Sequence, residues 1–452
     1  MKTFLLFCVI LLSLTINAQC FNYFSTGDSH SLVIKNDGTL WSWGSNTYGE
    51  LGLNSNADFH DIPLKIGHET DWAKVFVQGN KSFVIKNNGT LWACGYGFGG
   101  SLGTGNTNNK KVLTQIGTDN NWQFITSGAG TIAQKTDGTL WGWGANIYGM
   151  LNLGITSIEY NPVQISNETN WLKVVAGSHY SLAIKNNGTL WACGNNQNGQ
   201  LGDGTTTNRL NFVQIGTESD WLDIEVGYYN NSFAIKSNGT LWGWGANRIV
   251  IPFVSSSNFM FDNTLPDNLL VPTQLGITNN CTKVVAGQYK YVILKNDNTI
   301  WKNNNASGLS QIGNDMDWDF IDSGDGHLFF IKQNGTLWGE GSNNYGQLGI
   351  GIANQGITLP TQLNCNAFLN IEEINPLIKI KIYPNPTNEI LFIENSSNIA
   401  IDKIILNDIA GKKVFEDKNN FSKINMQNFE NGIYILNISF ENRIYTYKIV
   451  KK

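Results

Sequence analysis

Five residues, Asp/Asn-Gly-Thr-Leu-Trp, recur at Asp37–Trp41, Asn88–Trp92, Asp137–Trp141, Asn187–Trp191, Asn238–Trp242 and Asn334–Trp338, with a degenerate copy at Asp297–Trp301. Successive Trp residues stand 51, 49, 50, 51, 59 and 37 positions apart, so one long unit precedes one short unit. A period near 50 must be a structural unit, and missing it would misread the whole fold. The fourth copy shows its content: LKVVAG and YSLAIK are short apolar or alternating runs, Asn187-Gly188 is a hairpin turn, TLWACG leaves it, and NFVQIG follows a glycine-rich loop. Asn-Gly and Asp-Gly supply the positive φ of a tight two-residue turn. A four-stranded unit cannot bury both faces alone, and radial stacking solves this. The expected fold class is all-β: a seven-bladed β-propeller over 19–366, a linker over 367–377 and a small β-sandwich over 378–452.

Composition supports this reading and excludes others. The chain is 14% charged, against about 25% for an average domain, and has 48 Gly and 15 Trp. That aromatic content rules out disorder. A formal net charge of −5 argues against a nucleic-acid partner. Residues 1–18 read as a signal peptide, with Lys2 as the positive start, an apolar run from Phe4 to Ile16 and Asn17-Ala18 before Gln19. That run is too short to span a bilayer, so no transmembrane segment is expected in the mature chain. Export leaves Cys20, Cys94, Cys193, Cys281 and Cys365 where disulfides are permitted. Cys20 and Cys365 flank the seam where first and last blades must meet. A bridge there closes a long loop, worth about 4–5 kcal/mol in the chain-entropy model. Cys94 and Cys193 share a repeat position two blades apart, too distant to bridge. Cys281 takes a slot held by Trp in five units and is expected to be buried.

Two family resemblances follow from these motifs. GDSHSLVIKNDGTLWSWGSNTYGELG and IKQNGTLWGEGSNNYGQLG resemble the regulator of chromosome condensation repeat over roughly 21–363. The resemblance implies a seven-bladed propeller. Its eukaryotic founder is a chromatin-docked nucleotide exchange factor, a role that does not fit an exported acidic chain. Another member looks like a secreted inhibitor of β-lactamases acting through loops on one face. The order IYPNPTNEILFIE, DIAGKKVF, NGIYILNI and YKIVKK is similar to the C-terminal sorting domain of type IX secretion substrates. It implies the type IX machinery as a partner and a protein secreted from, or attached to the outer surface of, a gram-negative bacterium.

No catalytic constellation is recognisable. All 15 Trp fall at recurring positions, which is what blade packing predicts. His30 and His327 share one repeat position and read as structural, with His179 one residue before it. Asp315, Asp317 and Asp319 alternate, yet lack the Gly and Glu of a calcium loop. No cofactor or metal is expected. Carboxylates that break the repeat are Glu50, Glu159, Asp262, Asp267 and Glu340, and none recurs with the facing partner that glycoside hydrolysis needs. The reading is a secreted or surface binding module for a protein or glycan. The alternatives are an exported hydrolase of polysaccharide or peptide, or a secreted enzyme inhibitor. Loops joining third and fourth strands must share one side of the disc, carrying Tyr48, Tyr148 and Tyr345 at one repeat position and Phe98 beside it. The fifth unit replaces its G-Q-L-G loop with RIVIPFVSSSNFMFDNTLPDNLL. Its Phe253 and Phe259 either join that contact surface or merely cover the short sixth unit.

Overall fold

The computed structural model describes residues 21–249, 258–277, 279–288, 290–303, 308–351, 353–363, 380–395, 401–408, 412–418, 422–440 and 443–452. The signal segment, the Cys20–Cys365 pair and Phe253 therefore lie outside the described residues. The chain divides into two compact units at Ala367/Phe368.

The first unit contains seven four-stranded antiparallel sheets, spanning 21–66, 72–115, 122–166, 171–215, 221–274, 281–311 and 318–362. Six are built from four consecutive strands, and in the fifth a short hairpin intervenes before the last; in the first they are Phe21–Thr26, His30–Lys35, Leu40–Ser45 and Phe59–Ile66. The first strand of every sheet touches the first strand of the next, and Trp318–Ser323 touches Phe21–Thr26. Seven blades thus form a closed ring, fastened at the seam by Thr26 N donating to Asp322 Oδ2 at 3.0 Å and by Thr26 Oγ1 2.6 Å from His327 Nε2.

The repeated pentad is explained atom by atom. In all seven copies its first residue accepts, through Oδ1, from both the amide and the hydroxyl of the Thr, as Asn187 does from Thr189 at 3.2 and 2.7 Å. The Thr hydroxyl in turn accepts from the Trp indole, at 2.9 Å from Trp191. Gly supplies the left-handed turn residue, as in Gly188 with φ 77°, and in the degenerate copy Asn298 adopts φ 61°. Because either Asn or Asp offers Oδ1, Asn187→Asp should leave stability unchanged. Asn187→Ala should cost about 1–2 kcal/mol in denaturant unfolding, the loss typical of a capping side chain.

A second network explains the remaining Trp and the Lys that ends each second strand. Strand register places Lys86, Lys135, Lys185, Lys236 and Lys332 opposite Trp72, Trp122, Trp171, Trp221 and Trp318, which are the opening residues of the first strands. Each ammonium lies over that ring and the pentad ring; for Lys135 the centroid distances are 4.8 and 3.6 Å. An acid just before the first strand completes each site, such as Asp119 at 2.7 Å from Lys135 and Glu168 at 2.6 Å from Lys185. Asp315 and Asp317 do the same for Lys332. A desolvated cation over an aromatic face is worth up to about 2 kcal/mol, so these rings are blade architecture.

The blades interlock through a third repeated contact. Trp43, Trp143 and Trp244 are fully buried and donate across the seam to Gln347 O, Ser101 O and Gln200 O at 2.9, 3.0 and 2.9 Å. Cys94 and Cys193 stand in the same slot and donate to Glu50 O and Met150 O at 3.4 and 3.3 Å. Their burial pushes both thiols well up, so they are unreactive packing groups. Cys281 is likewise buried. The last Gly of each Q-L-G turn has a steric reason as well. A Cβ on Gly202 would come within 2.8 Å of the Trp244 indole.

The fifth blade corrects one sequence reading, that its loop is replaced outright. Asn247 Oδ1 accepts from Phe261 N at 2.9 Å, as Asn196 Oδ1 accepts from Leu201 N, so Met260-Phe261 occupy the Gln-Leu position. Met260 O accepts from Asn303 Nδ2 of the sixth blade at 3.2 Å. The inserted residues form a hairpin stem, Arg248–Ile249 paired with Asn258–Phe259, with Phe259 half-buried.

The second unit packs a three-stranded sheet (Ile380–Tyr383, Ile390–Asn395, Lys423–Asn425) with a four-stranded sheet (Lys413–Asp417, Lys403–Asp408, Gly432–Phe440, Arg443–Lys451). Its core includes Leu391, Ile404, Leu406, Leu436 and Ile449, all fully buried.

Candidate functional site

Strand order dictates which loops share a face. A chain that runs up, down, up and down returns its first–second and third–fourth connections to the same end. Hydrogen bonds tie the two loops together in six blades, as in Ser45 N to Ser29 O, Tyr96 N to Asn80 O, Asn195 N to His179 O and Ser342 N to Gly326 O, at 2.8–2.9 Å. The Asn-Gly hairpins lie at the opposite end.

Tyr48, Phe98, Tyr148 and Tyr345 all stand on the loop face. Phe98 is 70% exposed and Tyr345 45%, while Tyr48 and Tyr148 are half-buried. Tyr96, which sequence reasoning passed over, joins Tyr48 (4.7 Å between centroids) to Phe98 (6.0 Å, stacked), making a strip across two blades. Its one signal is the glycine-rich departure CGYGFGG from the repeat. Tyr148 meets His179 edge-on at 5.2 Å, so the histidine beside the structural position is a surface residue. The structural pair behaves differently. His30 Nε2 lies 2.8 Å from Ser82 Oγ in the next blade, and burial pushes His30 and His327 down to about 3, so both are neutral.

At its centre the ring leaves a cavity of about 560 Å³, lined by all seven first strands and the loops that follow them, a volume within the range of ligand sites. Alternate residues of the first strands face it. One arc is apolar, with Phe76 and Phe124 edge-on at 5.3 Å beside Val175. The other carries Lys173, Glu225, Lys283 and Asp322. Lys173 Nζ is 2.5 Å from Asp223 Oδ1, and Lys283 Nζ donates to Ile321 O at 2.7 Å and sits 3.6 Å over Phe320. Desolvation, partly offset by lysine charges, raises Glu225 to about 7 and Asp322 to about 6.

The carboxylates that break the repeat do not face one another. Glu50 is buried and accepts from Ser45 Oγ and Tyr48 N, and Asp262 accepts from Thr264. Asp267 pairs with Arg248, Glu340 pairs with Lys302 across the sixth seam, and Glu159 lies on an outer strand. Among the described residues no group of three or more His, Cys, Asp or Glu is placed to hold a metal.

Fold and site define a closed repeat propeller with a loop face around a central cavity. Family comparison gives the repeat its identity. The chain carries regulator of chromosome condensation (RCC1) repeats, matched at residues 37–84, 137–184 and 187–233 and, by a second model, at 23–50 and 171–200. Residues 381–452 match the secretion system C-terminal sorting domain, so this is an exported RCC1-repeat propeller. Human WBSCR16 superposes with a TM-score of 0.61 at 16% identity over 72% of this chain and 94% of that one. Yeast RCC1 (Prp20), solved with Kap60, gives 0.50 at 18% over 79% and 76%. Both likenesses are of fold. Among curated relatives, an ulvan lyase, NLR42 of Nonlabens ulvanivorans, is 28% identical over 30% of this chain and 25% of its own length. The mitochondrial RCC1 domain-containing protein RUG3 of Arabidopsis thaliana is 30% identical over 24% and 25%. The chain thus spans about a quarter of the length of these relatives. No helix among the described residues is long and apolar enough to cross a membrane.

Proposed function

We propose that the protein is a binding module delivered outside the cell by type IX secretion, released or held at the surface, that grips a protein or glycan with its loop face. The observation that carries this reading is the aromatic strip Tyr48–Tyr96–Phe98, with Tyr148 and Tyr345 on the same face. Exposed rigid aromatics give contact area at small entropic cost. The blade Trp offer no competing surface, being engaged with lysines and neighbouring blades. Residues 19–366 act as the binding domain, 367–377 as linker and 378–452 as the export signal. The Cys20–Cys365 bridge is proposed to secure the ring, and non-reducing peptide mapping should recover the two cysteines in one linked pair.

The likeness to an ulvan lyase supports a second reading, eliminative cleavage of a polysaccharide. One assay separates them. The secreted protein should retain a polysaccharide or envelope protein on an array, and Phe98→Ser with Tyr345→Ser should cut retention at least tenfold. Melting should stay within the roughly 0.5 kcal/mol usual for exposed positions. Unchanged retention by that variant would remove the loop face from the account, and new unsaturated ends on an ulvan arm would establish the lyase.

A further inference from the structure

We infer that the central cavity is a socket for a cationic side chain, a guanidinium or ammonium group carried on an extended peptide segment of the partner. This rests on the loop face being the binding face, and it adds what the centre of that face selects. Three cations line the cavity, Lys81, Lys173 and Lys283, against four carboxyl groups, Asp28, Glu225, Asp322 and Asp325. Lys173 pairs with Asp223, the charge of Lys283 acts on Asp322, and Lys81, whose Nζ donates to Gly128 O at 2.7 Å, acts on Asp28.

Asp325 has no lysine charge acting on it, and Glu225 shares Lys173 and Lys283 with Asp223 and Asp322. Asp325 Oδ1 is shut off from solvent and has no hydrogen-bond partner among the described residues. Among the described residues Glu225 accepts from the amide of Val226, at 3.1 Å through Oε1. Asp322, by contrast, is satisfied by Thr26 N and Ser323 N at 3.0 Å each. A buried acceptor without a donor costs about 1–3 kcal/mol. A cation entering this cavity recovers that cost and corrects the excess of negative charge. Phe76 and Phe124 on the facing arc suit the methylene stem that such a side chain brings with it. The loop-face aromatics then contact the flanking peptide.

Both carboxyl groups are held high, Glu225 to about 7 and Asp325 to about 6. Burial is the main cause in each, with the charge of Asp28 adding to Asp325. A cation favours the ionised form, so binding expels protons and strengthens as pH rises through 6–7. The neighbouring charges, Asp28, Lys81, Lys173, Asp223, Lys283 and Asp322, are paired in the manner given above. His179 at the rim is held below the usual histidine range by burial.

The test titrates the secreted full chain with capped tri-arginine, tri-glutamine and tri-glutamate peptides and with free arginine amide. Tri-arginine should bind at pH 8, at least tenfold more weakly at pH 5, and at least tenfold more tightly than the other three probes. Glu225→Gln with Asp325→Asn should lose at least tenfold at pH 8, whereas Phe98→Ser with Tyr345→Ser should keep the pH dependence. If the double carboxyl variant fails to fold, the pH profile of the unaltered protein decides alone. Equal binding of tri-glutamine, preference for tri-glutamate, or a flat pH profile overturns the socket. Equal affinity for arginine amide overturns the peptide assignment. Loss of array retention in the Phe98/Tyr345 variant with an intact tri-arginine response would fault neither reading, so the two claims fail separately.

Discussion

Removing residues 378–452 is expected to leave a folded propeller inside the cell envelope, with none in the medium or on the surface. The matched sorting domain covers 381–452, and the chain divides into compact units at Ala367/Phe368. The propeller core is built from residues within 21–363, and among the described residues the ring is closed by contacts between the first and seventh blades, including Thr26 with Asp322 and His327 and Trp43 with Gln347. Fractionation followed by immunoblotting reads the outcome. Truncated protein in the medium would show that the tail is not the export signal.

The second large effect is at a blade seam. Trp244→Ala should destabilise the propeller by about 3–5 kcal/mol, because a fully buried indole is lost and its space cannot close. Trp244→Phe should cost only about 1–2 kcal/mol. It keeps most of the volume, and Gln200 O, abandoned by the indole, still accepts from Ser232 Oγ at 2.8 Å. Urea unfolding of the two variants checks both the size and the order of the effects. Equal losses would mean that hydrogen bonding, not packing, holds the seam.

Much of the fold was legible because each blade repeats the same local chemistry. A motif in which Asn187, Thr189 and Trp191 bond one another within five residues announces itself wherever it recurs. Contacts between blades announce themselves less. Met260-Phe261 fill the place of Gln-Leu, but an inserted hairpin separates them from Asn247, so the sequence looks as though the loop were gone. Lys86 and Trp72 are distant in sequence, and only the strand register brings them together. The loop-face residues could be placed by counting strands, since alternation decides which end a loop reaches. The cavity could not. Its charges come from different blades, as Lys173 and Asp223 show across 50 positions, and no single repeat reveals which carboxyl is left without a partner. Asp325 stood in a loop and Glu225 in an ordinary alternating strand, each unremarkable until the ring closes.

The central claim is that the loop face binds and does not cleave. The direct measurement incubates the natively secreted chain with a panel of polysaccharides, ulvan among them, and of envelope proteins, recording retention and new chain ends from the same samples. Retention without new ends, weakened by Phe98→Ser with Tyr345→Ser, is the result expected here. New ends that accumulate with time in proportion to the protein added would contradict it.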